Sequence, residues 1–100
     1  MSQIENRLFD KALLVRVEAL ELLRKWKSRN SANQVWKMLF DKKNYLNNKK
    51  KSINQDMISR IILTIGDLDF KKAKKSLKKL KTKKAFSQVS QEIDLVLSKL

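Results

Sequence analysis

Apolar residues recur at three- and four-residue steps along the first quarter of the chain, beginning with Ile4 and Leu8 and ending with Trp26. This period places them on one face of an α-helix. Additional leucines and valines between positions 13 and 23 widen the apolar stripe, so that only a narrow polar edge is left. The pattern predicts one long first helix from Gln3 to Ser28. We expect it to lie at the centre of the fold, with burial in a homodimer as the alternative.

Two further segments begin with a serine that is followed three residues later by a glutamine, which is the spacing of a capping box. Ser31 with Gln34 predicts the start of a second helix, and Ser52 with Gln55 predicts the start of a third. The polar tract from Asn44 to Lys51 between them is typical of an exposed connection. The side chains predicted to be buried in these two helices are Val35, Trp36, Leu39, Phe40 and Leu46, then Ile53, Met57, Ile58, Ile61, Ile62 and Ile65.

Gly66 is the only glycine, and its position after the third apolar stripe predicts a left-handed helix end. Asp67 or Asp69 is then expected to cap the next helix, because negative charge is favourable near the first amides of a helix.

Two apolar seams follow in the last third of the chain, and they are out of phase with each other. The first seam comprises Phe70, Ala73, Leu77 and Leu80, and the second comprises Phe86, Val89, Ile93, Val96, Leu97 and Leu100. Phe86 lies six positions after Leu80, and a step of six does not keep two residues on the same face of a continuous helix. The sequence therefore predicts a break between Lys81 and Lys84.

The fold class follows from these segments together with the composition. The chain has 42% hydrophobic residues, one glycine and no proline, and it is rich in residues that favour helix. One hundred residues suffice for one domain with a modest core. We therefore predict an all-α protein, a compact antiparallel bundle of four or five helices in a single domain spanning residues 1–100.

Enzymatic chemistry finds little support in the composition. Histidine and cysteine are absent, which removes the usual zinc and iron ligands, the Ser–His and Cys–His nucleophile pairs and the commonest acid–base side chain. The ten carboxylates are scattered, and the close pair Asp67 and Asp69 is explained by helix capping. A single glycine also excludes the familiar phosphate-binding loops. We predict a protein that is not an enzyme, with no catalytic residue, metal or cofactor.

The same features bear on location. The absence of cysteine excludes a disulfide framework, and the longest apolar runs are too short to cross a bilayer. The first residues lack the basic start and apolar stretch of a signal peptide. We expect a soluble, cytoplasmic protein without a transmembrane segment.

Charge is the most informative feature for function. The formal net charge is +14, and nine lysines lie between Phe70 and Lys84. Lysine supplies a flexible point charge for phosphates, whereas the planar group that reads guanine edges is arginine's. The sequence therefore predicts binding of nucleic acid, DNA or RNA, largely without sequence preference, with roughly six to ten phosphates neutralised. The predicted binding residues are Lys49, Lys50, Lys51, Lys71, Lys72, Lys74, Lys75, Lys78, Lys79, Lys81, Lys83 and Lys84.

Aromatic residues add one candidate to this site. Tyr45 lies next to the polar tract and is predicted to stack on a base. Trp26 and Trp36 fall on apolar stripes, so we expect them in the core.

A different class of function remains open. The chain is similar in size and basicity to the small helical immunity proteins of bacteriocin systems, a likeness of bulk composition. It implies a protein-binding accessory, inhibitor or immunity-like factor whose basic face docks on an acidic protein or a membrane-proximal surface. The first helix would then hold contacts with the partner or with a second copy. A basic face that serves only solubility is the third alternative.

Overall fold

A computed structural model describes residues 2–44 and 54–100, with side chains from Ile4 onward in the first of these ranges. The α-helices in the described ranges are α1 (Ser2–Arg7), α2 (Leu13–Lys25), α3 (Ala32–Leu39), α4 (Gln55–Asp67), α5 (Lys74–Lys81) and α6 (Ser90–Lys99). Short 3-10 helices occupy Arg29–Ser31, Lys42–Asn44, Lys71–Ala73 and Lys84–Val89. The described residues contain no strand, which confirms the predicted all-α bundle.

Helix α4 lies at the centre of the bundle, where it packs against α2, α3 and α6. Its predicted apolar face is confirmed, because the five described members of that face are all fully buried: Met57, Ile58, Ile61, Ile62 and Ile65. The helix is capped by Asn54, whose side-chain oxygen accepts a hydrogen bond from the Met57 amide at 3.2 Å. The predicted cap Ser52 and the predicted core residue Ile53 lie outside the described residues.

Gly66 has a different role from the one predicted. It lies inside α4 with an ordinary helical backbone, and a Cβ atom at this position would stand 3.0 Å from Cγ2 of Val96. The residue that adopts the left-handed conformation is Asp69, with φ 55°. Asp67 is the last residue of α4, and Asp69 supplies no side-chain cap to the next helix, so the predicted helix end at Gly66 and the predicted aspartate cap were both wrong. Glycine fits here because α6 passes close to α4 at this point, so that a methyl group would press against Val96.

Helices α4 and α6 run in the same direction. Gln55 at the start of α4 donates a hydrogen bond to the carbonyl oxygen of Gln88 at 3.4 Å, and Asp67 at the end of α4 pairs with Lys99 at 3.4 Å. The segment between them, which contains α5, therefore returns the chain from one end of α4 to the other. These three helices alternate in direction along the chain, as in an antiparallel bundle.

The predicted first helix is broken. Helix α1 ends at Arg7 and α2 begins at Leu13, because Asp10 accepts a hydrogen bond from the Ala12 amide at 2.8 Å and so favours a turn. The turn is closed by Arg16, which is only 5% exposed and donates hydrogen bonds to the carbonyl oxygens of Asp10 and Lys11 at 2.8 and 3.0 Å. The apolar period continues through this turn, which is why it could not reveal the break.

The expected central position of the first helix was also wrong. Helix α2 buries Ala19, Leu20 and Leu23, but Leu13 and Leu14 at its start are 46% and 68% exposed. The solvent-exposed face of α2 is therefore broader than the sequence pattern indicated, and α2 lies at the edge of the bundle. Among the described helices, none is long and apolar enough to cross a membrane.

The second predicted helix corresponds to α3, with two corrections. The Ser31–Gln34 capping box does not form, because Ser31 Oγ lies 3.0 Å from Ser28 Oγ and the preceding residues form a 3-10 turn. Helix α3 ends at Leu39, so Phe40 leaves the buried face and is 50% exposed. Val35 and Leu39 are buried as predicted, Trp36 is half-buried, and Leu46 lies outside the described residues.

Ion pairs connect the outer helices to α4. Asp67 pairs with both Arg24 of α2 and Lys99 of α6, while Arg60 pairs with Asp56 at 3.1 Å and with Glu21 of α2 at 3.3 Å. The hydrogen bond and negative charge of Asp56, assisted by Glu21, raise the pKa of Arg60 above its ordinary value. A cation whose pKa is raised on folding contributes stability below its ordinary pKa, and this is lost as pH rises through the raised value, so deprotonation of Arg60 does not weaken these contacts in the neutral range.

We predict that Gly66→Ala destabilises the protein by about 1 kcal/mol, because overpacking exceeds the gain in helix propensity. Val96 is fully buried and β-branched, so it cannot swing away from the new methyl group. In a Val96→Ala background the same substitution should instead stabilise the protein by up to about 1 kcal/mol. Urea unfolding of the four proteins of this double-mutant cycle measures both effects. Equal effects in the two backgrounds would show that the close approach of Val96 does not explain the glycine.

Candidate nucleic-acid interface

Helix α5 is held on the bundle by a narrow apolar seam. Ala73, Leu77 and Leu80 are buried, as the sequence predicted, and α5 packs against α6. Phe70 at the start of the segment is half-buried. The predicted break is also confirmed, because α5 ends at Lys81 and the chain resumes as a 3-10 helix at Lys84. The second seam is buried beyond it at Phe86, Val89, Ile93 and Val96.

The remaining surface of α5 is almost entirely lysine. At about 100° per residue, its five lysines cover an arc of about 160° on the side away from the seam. Four more lysines continue the basic surface before and after the helix. All nine side chains are exposed, and we call this set the lysine ridge: Lys71, Lys72, Lys74, Lys75, Lys78, Lys79, Lys81, Lys83 and Lys84.

The protein's own acids leave the lysine ridge largely uncompensated. Lys81 pairs with Asp94 of α6 at 2.6 Å, and the other eight lysines form no ion pair with a described carboxylate. Other carboxylates pair with cations elsewhere in the described structure, as at Asp67, Glu21 and Asp56 on the α2–α4 side. A run of eight exposed lysines without a described carboxylate partner therefore lies on and beside α5.

This run of lysines opposes helix formation in α5. Within α5, Lys74 and Lys78 are four residues apart, as are Lys75 and Lys79. Each such pair of like charges within a helix costs about 0.2 to 0.5 kcal/mol. The first turn of α5 also lacks an acidic residue that would complement the helix dipole. A bound anion would remove both penalties.

Four predicted site residues lie outside the described residues: Lys49, Lys50, Lys51 and Tyr45. The structure therefore does not test whether they join the lysine ridge.

An aromatic cluster next to the lysine ridge was not predicted. The ring of Phe40 lies 5.1 Å from the ring of Trp36, nearly perpendicular to it, and the Trp36 ring lies 6.4 Å from that of Phe70. Phe70 directly precedes Lys71. The sequence does place Trp36 and Phe40 four positions apart, shortly before Lys42 and Lys43. Whether Phe40 is buried or exposed, however, depends on where α3 ends.

The two tryptophans differ from each other in the structure. Trp36 is half-buried and packs against the core, in partial agreement with its predicted place there. Trp26 follows the last residue of α2 and is 50% exposed, so its predicted burial was wrong. The exposure of Trp26 reflects its place at the end of α2, since a residue at a helix end is not held on the buried face by the helical period.

A shallow, open cleft is lined by two acidic side chains, Asp56 and Glu92, together with Gln55 and Ser59. Asp56 is already paired with Arg60. Within the described ranges, no group of three potential metal ligands occurs.

Comparisons with known proteins returned no matching family model, curated protein or solved structure. Inference about function therefore rests on the surface chemistry of the chain itself.

We predict that added salt stabilises α5 selectively. Screening weakens the repulsion between its lysines, whereas the apolar contacts of α4 respond little to moderate salt. Hydrogen exchange at the Leu77 and Leu80 amides should slow several-fold between about 10 mM and about 200 mM NaCl, relative to exchange at Ile61 and Ile62. A uniform change over both helices would argue against charge strain in α5.

Proposed function

We propose that this protein binds nucleic acid through the lysine ridge and catalyses no reaction. The observation that supports the proposal most strongly is the set of eight exposed lysines on and beside α5 that no described carboxylate neutralises. A surface with this charge attracts any polyanion, and nucleic acid is the most abundant polyanion in a cell.

The mechanism is release of counterions from the phosphate backbone. Each lysine that contacts a phosphate displaces condensed cations, so affinity falls steeply with salt. The lysine ridge contains no arginine, the residue best suited to bidentate contacts with guanine. Binding should therefore show little sequence preference and should accept DNA or RNA. No cofactor is required, and we propose a cytoplasmic location, where such ligands are abundant.

A surface that serves only solubility explains the arrangement less well. Solubility is obtained when charges of both signs are interspersed, without a large field of one sign. Here eight lysines on and beside α5 have no described carboxylate partner, and the lysines within α5 oppose the stability of their own helix. A bound phosphate backbone accounts for both features.

A second function, of a different class, is supported by another surface. Leu13 and Leu14 at the start of α2 are 46% and 68% exposed. Adjacent exposed leucines are typical of protein contacts when they form part of a larger patch. The alternative proposal is an accessory, inhibitor or immunity-like factor that uses this surface for a partner or a second copy and the lysine ridge for an acidic protein or a membrane-proximal surface.

Charge reversal of Lys71, Lys74, Lys75 and Lys78 to glutamate is expected to weaken binding to nucleic acid strongly. Affinity falls with salt, so the slope of log K against log salt is negative. Losing four phosphate contacts should make that slope shallower by about 3 to 4 and weaken binding at least 100-fold at low salt. Gel-shift titrations with duplex DNA and with RNA, each at several NaCl concentrations, measure both quantities.

The matched control reverses four exposed cations outside the lysine ridge: Lys11, Lys25, Lys27 and Arg29. Both variants carry the same net charge, so a non-specific effect of total charge would weaken them equally. Equal weakening of the two variants, or unchanged binding by the first, would contradict the proposal. Circular dichroism of each variant verifies that it is folded.

The alternative function predicts self-association or partner binding through α2. If Leu13 and Leu14 form a dimer contact, sedimentation should show a dimer that Leu14→Ser converts to a monomer. The nucleic-acid proposal expects a monomer for both proteins, with unchanged gel shifts. A dimer lost together with nucleic-acid binding would favour the alternative surface as the functional one.

A further inference from the structure

The aromatic cluster connects two exposed basic segments. Its members are Trp36, Phe40 and Phe70, as described above. On one side, Lys42 follows Phe40 after a single residue, and on the other Lys71 and Lys72 follow Phe70 directly. Lys42, Lys71 and Lys72 are exposed and form no ion pair with a described carboxylate. Each of the two segments therefore carries exposed cations within two positions of a ring of the cluster, although Asp41 directly follows Phe40 and Asp69 directly precedes Phe70.

Phe40 is the most exposed member of the cluster. Half of its surface is accessible, although Trp36 holds it from one side in an edge-to-face contact. The contact and the helix end restrict the ring while leaving much of it open to a ligand. Such a ring loses little conformational entropy on binding, so it suits the role of a stacking platform.

We propose that the aromatic cluster stacks with unpaired bases, and hence that the preferred ligand of the lysine ridge is single-stranded nucleic acid. This inference rests on the proposed function. In duplex DNA the base faces are covered by their neighbours, so only the phosphates are available to the protein. In a single strand the bases can turn toward Phe40 while the flanking phosphates contact Lys42, Lys71 and Lys72.

Charge and aromatic surface act together in this arrangement. The lysines attract every nucleic acid, and stacking adds affinity only where a base is free. Because every base has an aromatic face, the preference for single strands does not require a sequence preference. Trp36 would position Phe40 through their edge-to-face contact, and Phe70 would in turn support Trp36. Both are less exposed than Phe40.

The test compares three probes by fluorescence anisotropy at one salt concentration. The probes are single-stranded oligonucleotides (oligodeoxythymidylate and oligouridylate in separate arms), a duplex of the same length, and inorganic polyphosphate, which has no bases. We expect the wild-type protein to bind the single strands most tightly. Phe40→Leu should weaken single-strand binding about tenfold and leave duplex and polyphosphate binding within about twofold.

Two further variants control for side-chain chemistry. Phe40→Tyr keeps an aromatic ring and should retain single-strand preference. Trp26→Leu removes an aromatic residue of the same 50% exposure that does not belong to the cluster, and it should bind as the wild type does. Because the chain has two tryptophans, this variant also leaves Trp36 as the only one. Its fluorescence should change with single strands and not with polyphosphate.

The outcomes separate this inference from the proposed function. Equal binding of single strands and duplex, with Phe40→Leu unchanged, would overturn the stacking inference and leave the lysine ridge as a phosphate-binding surface. Equal weakening of all three probes by Phe40→Leu would overturn it too, because the ring would then act through folding. Failure of the wild-type protein to bind any of the nucleic-acid probes would overturn both.

Discussion

Contact between one narrow apolar seam and the bundle holds the whole lysine ridge in place. Leu77 and Leu80 are buried together with Ala73, and burying a leucine contributes about 1.5 to 3 kcal/mol. The two like-charge pairs within α5 oppose this by up to about 1 kcal/mol in total. Apolar burial therefore exceeds repulsion and holds the helix in place, and salt or an anion that weakens the repulsion should stabilise α5 further. A helix balanced in this way is well suited to a role in which an anionic partner completes its stabilisation.

The distribution of acids leaves the lysine ridge largely uncompensated. Asp67 and Arg60 form ion pairs that connect α2, α4 and α6. Asp94 pairs with Lys81 and links α5 to α6. Three carboxylates, Asp67, Glu21 and Asp94, thus join helices, and eight lysines of the lysine ridge have no described carboxylate partner.

Much of this architecture could be predicted from the spacing of apolar residues. The buried faces of α4 and α5, and the break after Lys81, follow from periodicity because a helix on a core must bury one stripe. The exposure of the lysine ridge could be predicted in the same way, because the residues of α5 outside its apolar seam had to face solvent.

What could not be predicted depended on tertiary contacts and on helix ends. Gly66 is constrained by Val96, which lies thirty positions away in sequence and is brought near only by the return of the chain. The break before α2 depends on Asp10 and Arg16, whose hydrogen bonds interrupt an apolar pattern that itself continues. Phe40 became part of the candidate site because α3 stops one residue earlier than its apolar stripe. Each of these features was set by local hydrogen bonding or by packing that periodicity does not encode.

The most direct test of the account is an NMR titration of the folded protein with a short single-stranded oligonucleotide, followed through backbone amide shifts. Contact through the lysine ridge predicts large shift changes between Phe70 and Lys84 and around Phe40, with little change at Leu13 and Leu14. Changes centred on the start of α2, or none at saturating oligonucleotide, would contradict it.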